Sequence, residues 1–283
     1  MSDDIPGQSP DWMQLGQEAT EALAETWSSL AGVCSDLSDA QWETATECPG
    51  WSVKDQLSHL IGIERALGGD AAPAWEGPLG EHVKNDFAVS NEPWIAVRRR
   101  ATGPVVLAEF EEVTAGRLGA LRRLGADEWS RVGWSPVGPV PQAEFMRVRV
   151  FDSWVHEQDV RQALAQPGGS GGLASGLALG RVQGAMPFVV GKKAAAPEGT
   201  VVRFDVHGPG ADARTFDVGV EGGRAAVVHG RPPSVTLTMS SVDFTRLGCG
   251  RAGADRLVAE GRLGVRGDAA LGEAVLRVIN FMF

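Results

Sequence analysis

Asp152 and His156 are the pair of side chains in this chain whose types and spacing best suit chemistry. On a helix, a spacing of four places them one turn apart on a common face. Apolar residues flank that face on both sides: Val148, Phe151 and Val155 on one arc, Met146, Val160 and Leu164 on the other. A carboxylate and an imidazole centred in an apolar stripe need strong partners, because burying either one unpaired is costly. A divalent metal ion would satisfy both at once. A metal-free Asp–His hydrogen bond would also do so, and Arg149, near the same face, could pair with Asp152. Asp159 stands nearly in line with the pair, where it can accept from the other imidazole N–H. The run His156-Glu157-Gln158-Asp159-Val160 lacks the second histidine of a His-Glu-x-x-His zinc motif.

A third ligand has to come from another element. His59 lies on a helix opened by Ser52, a good N-cap, with Asp55 three residues on to complete a capping-box-like start. That helix places His59 only at the border of its apolar arc, where an ordinary boundary histidine fits as well as a ligand. In a helical bundle, however, metal sites are assembled from facing helices. His59 is also the only histidine in the first three helices outside a long loop. Two imidazoles, one carboxylate and open positions match a catalytic zinc site better than a closed structural one.

The elements that must position these groups are helical from Trp12 to about Ala165. Helices are expected near 17–37, 52–67, 104–124 and 141–165, the ingredients of a four-helix bundle. A Gly/Pro-rich loop spans about 71–92, long enough to draw functional interest. Pro167-Gly168-Gly169-Ser170-Gly171-Gly172 reads as a linker and hinge. It has neither the spacing nor the strand–turn–helix setting of a nucleotide-binding loop. Beyond it a helix near 173–190 leads into period-two strands at 201–206, 215–220 and 234–239. A helix near 241–247, a strand at 263–265 and a helix from 268 to about 281 close the chain. The expected fold class is therefore α plus α+β: a helical bundle over residues 1–166, a Gly-rich linker at 167–172, and an α+β domain with a mostly antiparallel sheet over 173–283.

Bulk composition limits the partners. The chain has 283 residues, 43% hydrophobic and 22% charged, with a net charge of −10. No basic run exceeds Arg98-Arg99-Arg100, read as a solvated helix surface, which argues against nucleic acid or an anionic membrane as partner. No secretory signal or membrane-length apolar run is visible, and a cytoplasmic location is expected. Cys34, Cys48 and Cys249 are odd in number and far apart, which fits neither a disulfide framework nor a zinc knuckle.

Two blocks carry a family resemblance. Gln41-Trp42 with Cys48-Pro49-Gly50-Trp51-Ser52-Val53-Lys54-Asp55-Gln56-Leu57-Ser58-His59-Leu60 resembles the N-terminal signature of the mycothiol-dependent maleylpyruvate isomerase family, within the DinB-like four-helix metalloenzymes. Trp154-Val155-His156-Glu157-Gln158-Asp159-Val160-Arg161 resembles that family's last bundle helix. The C-terminal half, with Phe244-Thr245-Arg246-Leu247 and Gly261-Arg262-Leu263, is similar to its sterol-carrier-like domain.

The resemblance implies that His59, Asp152 and His156 are metal ligands, with Asp152 where relatives usually carry Glu. It also implies zinc or a similar divalent metal, and mycothiol as thiol cosubstrate. The expected reaction is attack by a metal-bound thiolate on a small electrophile, giving S-transfer, exchange or isomerisation. His82 and Asn85, in the long loop, become candidate substrate-binding residues. Monomer and homodimer both remain open. A metal-dependent hydrolase and a non-enzymatic small-molecule carrier are the alternative functions.

Overall fold

In the computed structural model, which describes residues 10–81 and 83–282 (the Phe87 side chain excepted), the N-terminal half is built on four long helices. In chain order it contains α1 (Trp12–Cys34), α2 (Asp39–Trp42), α3 (Val53–Leu67), α4 (Asp86–Ala96), α5 (Gly103–Leu121) and α6 (Ala126–Ser130). The two-residue strands β1 (Val132–Gly133) and β2 (Val140–Pro141) then lead into α7 (Gln142–Ala163). Helices α1, α7, α3 and α5 pack in a closed ring, each against two neighbours, which is a four-helix bundle.

The start of α3 follows from its first residues. Ser52 Oγ accepts from Asp55 N at 3.3 Å while Asp55 Oδ2 accepts from Ser52 N at 3.1 Å, a reciprocal capping box. Every residue from Val53 to Gly62 is buried, charged ones included. Lys54 is tolerated there because its ammonium reaches Glu43 and the carbonyls of Arg99 and Ala101.

Helix α7 is surrounded rather than striped. From Arg149 to Val160 only Asp152 escapes full burial, because α1, α3 and α8 all pack against it. Its polar residues are consequently spoken for by neighbours. Glu157 accepts from Thr26 and Ser29 of α1, both at 2.6 Å, and from Arg161 at 2.8 Å. Glu157 is thus a structural residue despite sitting next to His156.

The second half begins with α8 (Leu173–Phe188), whose last turns continue as a π-helical segment to Lys193. That 21-residue stretch is apolar and long enough to cross a membrane by composition alone. Here its apolar residues Ala178, Leu179, Val182 and Met186 are fully buried, and the helix packs on α7 and α1. The Gly-rich segment before it is tied down: Gly169 O accepts from Trp154 Nε1 at 2.6 Å, and Gly168 O from Gln158 Nε2 at 3.2 Å.

Strands β3 (Val201–His207), β4 (Arg214–Glu221), β5 (Arg224–Val228), β6 (Val235–Ser240) and β7 (Leu263–Gly267) form one sheet in the order β5-β4-β3-β6-β7. The β3–β6 pair is parallel and the other three are antiparallel. Gly222 and Gly223, both at positive φ, make the two-residue hairpin between β4 and β5. Helices α8, α9 (Ser241–Gly248) and α11 (Ala269–Arg277) pack against the strands, while the short α10 (Ala254–Ala259) contacts β7. The core holds Phe204 stacked on Phe216 with ring centroids 4.9 Å apart. A four-helix bundle is thus followed by an α+β domain, the fold class expected from the sequence.

Candidate metal centre

The two helices carrying His59 and the Asp152/His156 pair face one another. One donor atom from each of the three side chains lies within 4.8 Å of the others. His59 Nε2 is 3.5 Å from Asp152 Oδ2, and His156 Nε2 is 3.6 Å from Asp152 Oδ1. The two imidazole centroids are 4.6 Å apart, edge to face. Trp51, just before α3, tilts against both rings at 4.9 and 5.7 Å.

The second nitrogen of His156 is held by groups of known polarity. Gln56 Oε1 lies 2.5 Å from Nδ1, and Asp159 Oδ2 lies 3.3 Å from it. Both are acceptors, so Nδ1 carries the proton. In the neutral ring Nε2 then presents its lone pair toward Asp152 and His59. Gln56 is oriented in turn by Thr46, whose hydroxyl donates to Trp51 O at 2.9 Å and accepts from Gln56 Nε2 at 2.6 Å. Asp159 is anchored by Arg251, from the loop after α9, at 3.0 and 3.2 Å. The C-terminal domain thereby contributes to the surroundings of a bundle residue.

Asp152 is shared. Arg149 Nη1 donates to its Oδ2 at 2.5 Å, and the rest of that guanidinium is bound to Glu64 Oε1 at 2.8 and 2.9 Å. The metal-free pairing that the sequence left open is therefore present in the form of Arg149. It engages only one carboxylate oxygen, and Oδ1 remains on the His156 side.

Electrostatics divide the three groups. Burial pulls His59 down to a pKa of about 4, so it is neutral at physiological pH. Burial also lowers His156, but Asp152 and Asp159 more than offset this and its pKa is raised. Against the cost of burial, Arg149 and then the two imidazoles hold the Asp152 carboxyl well below the usual range.

The residues fit a divalent ion. Both nitrogens of His59 are buried with no hydrogen-bond partner, Asp152 Oδ2 standing 3.5 Å from Nε2. A neutral, orphaned imidazole facing a carboxylate and a second imidazole is the donor set of an N/O metal site.

The trio opens onto a cavity of about 1280 Å³ between the two domains. Asn85 lines it while capping α4, its side chain accepting from Ala88 N at 2.8 Å. His82 lies outside the described residues. Sequence reasoning gave no role to Gln56, Arg251 or the wall residue Trp51, although Trp51 and Gln56 both stand in the signature block from Cys48 to Leu60. Arg98, read as a surface residue, is instead buried and bound to Glu109 at 2.7 and 2.8 Å.

A search of curated proteins finds no match. Among solved structures, the crystal structure of the mycothiol-dependent maleylpyruvate isomerase aligns with a TM-score of 0.52 at 17% identity, covering 87% of this chain and 94% of that one. A histidine-to-alanine variant of that enzyme aligns with a TM-score of 0.52 at 16% identity, covering 86% and 93%. At such identities the likeness speaks for the fold. Residues 23–161 match the family model of the mycothiol maleylpyruvate isomerase N-terminal domain, and residues 187–280 that of the SCP-2 sterol transfer family. With both models matched in this order, the chain belongs to the mycothiol maleylpyruvate isomerase family and carries an SCP-2 domain at its C-terminal end.

Proposed function

We propose that this protein is a cytoplasmic, mycothiol-dependent isomerase or S-transferase acting on a small electrophile, with His59, Asp152 and His156 holding a divalent ion, most suitably zinc. The observation that carries this reading is the orphaned, neutral His59 imidazole converging with Asp152 and His156 on a roomy cavity. When bound, such an ion supplies the Lewis acidity that keeps a thiol deprotonated at neutral pH.

The chain's own groups do the positioning. Gln56 and Asp159 hold the Nδ1 proton of His156, leaving Nε2 to serve as ligand. Arg149 fixes Asp152 through Oδ2. The Trp51 ring walls both imidazoles and limits water on that side.

No protein cysteine is suited to act as the nucleophile. Burial pushes the thiols of Cys34, Cys48 and Cys249 each up to about 12, so a thiolate must come from a cosubstrate.

Metal analysis with calorimetric mycothiol titration tests the reading on wild type, Asp152→Ala and His156→Ala. About one divalent ion per chain is expected in wild type and little in either variant, with thiol binding only where metal is retained. Wild type that purifies without metal, gains no stability from zinc and ignores the thiol would overturn it. Turnover that continues without any thiol would point to hydrolysis instead.

A further inference from the structure

We propose that Arg181 forms an anion subsite in the interdomain cavity, selecting an electrophile that carries a carboxylate or similar oxyanion on an apolar body. That the anion belongs to the electrophile rests on the reaction assigned above; the subsite itself does not.

Arg181 lies on α8 and lines the same cavity as the His59, Asp152 and His156 side chains. It is half-buried, with its guanidinium carbon 5.7 Å from the centroid of the Phe151 ring. No hydrogen bond or ion pair joins it to any described residue. The other arginines of the cavity wall are fully engaged: Arg149 by Glu64 and Asp152, and Arg251 by Asp159. Lys84 is exposed in the loop before α4.

The acids lining the cavity do not answer Arg181 either. Asp70, Glu81 and Asp86 are exposed around the α3–α4 loop, and Asp70 is bound to Arg65 at 3.2 Å. Glu144 is the one acid whose charge reaches Arg181, and it sits at the surface, 4.0 Å from Arg147. Burial lowers the Arg181 pKa and Glu144 only partly opposes this, as expected for a desolvated cation lacking a counterion.

A guanidinium in this state matches an oxyanion through two parallel N–H donors. Phe151 beside it, and Phe145, Phe281 and the exposed Trp134 elsewhere on the cavity wall, favour an apolar body on the same ligand. Arg181 and the His59, Asp152 and His156 side chains line one cavity, so an anion held at Arg181 shares that space with the candidate ligands.

Benzoate and its neutral isostere benzamide are suitable probes, titrated against the tryptophan fluorescence of the full chain. Both chelator-stripped and zinc-loaded protein are used, because a carboxylate could also bind an ion directly. Wild type should bind benzoate about tenfold more tightly than benzamide in both states, the worth of one charge-assisted contact. Arg181→Met should abolish the preference, Arg181→Lys should keep part of it, and Lys84→Met should keep all of it. Because no carboxylate or hydrogen bond holds Arg181 and Met keeps an apolar contact with Phe151, Arg181→Met should melt within about 2 °C of wild type.

A preference that survives in Arg181→Met, vanishes in Lys84→Met, or appears only with zinc bound would overturn the subsite. Arg181-dependent benzoate binding in a protein that ignores mycothiol would uphold the subsite and remove only its assignment to the electrophile.

Discussion

Burial holds His59 at a pKa of about 4, against 6.5 for an exposed imidazole. Between those values the unfolded chain carries a proton on His59 that the folded chain does not. The His59 contribution to stability therefore rises with pH across this window and falls as pH drops from 6.5 toward 4, levelling off below. The shift corresponds to about 3 kcal/mol. Chelator-treated wild type should lose that much between pH 6.5 and 4 in denaturant titrations, and His59→Gln should show a flatter profile. Parallel profiles would mean that His59 titrates normally and is not sealed from water. At this scale Asp152 and His156 were legible in the sequence, because a polar pair within an apolar stretch of helix needs a reason to be there. Their supporting partners were not. Gln56 sits three residues from His59 in a run of buried residues, and nothing in its spacing says that it meets His156 across the bundle.

Helix α4 shows what periodicity misses. It begins inside the stretch read as loop and runs past its end, carries Pro93, and has no apolar stripe. What seats it is a close approach: a Cβ on Gly62 of α3 would stand 2.4 Å from the Trp94 Cβ. Strand β5 escaped for a related reason, being a short edge strand with mostly exposed residues beyond a Gly-Gly turn. The long α1 and α3 were readable because their apolar residues repeat with the helical period, and α5 and α7 because a proline stands at the start of each. The all-round burial of α7 was not, since it depends on α8 arriving from the other domain. Gly62→Ala should push α4 away from α3 and cost about 1–3 kcal/mol, lowering the melting temperature. Trp94→Gly, which removes that Cβ, should cost stability by itself, yet in the double variant the Gly62→Ala penalty should largely disappear. Additive losses would show that the contact between α3 and α4 is not what Gly62 protects.

Across the whole molecule, the two domains meet at the site through a chain of contacts running from Arg251 to Asp159 to His156. A second contact, Arg246 on Glu47 with Asp243 alongside, joins the same faces but leads to none of the three candidate ligands. The pair of contacts separates two roles for the C-terminal domain, docking and tuning. If the domain only docks, removing either arginine should weaken metal binding equally, through loss of the shared interface. If Arg251 tunes the site, Arg251→Met leaves Asp159 buried without its counterion, so that its charge falls on His156 alone. The imidazole is then drawn toward its protonated form and binds metal less well. We expect Arg251→Met to lower zinc affinity about 10- to 100-fold, the range for partners that orient a ligating histidine. Arg246→Met should lower stability and leave zinc affinity within about twofold, because additivity holds where no partner is shared. Competition titration with a zinc chelator, beside a thermal melt of each variant, reads both quantities. Equal losses of zinc affinity in the two variants would reduce the C-terminal domain to a docked neighbour. Unequal losses would make it part of the metal centre, and would explain why a bundle that brings three candidate ligands together keeps a second domain pressed against it.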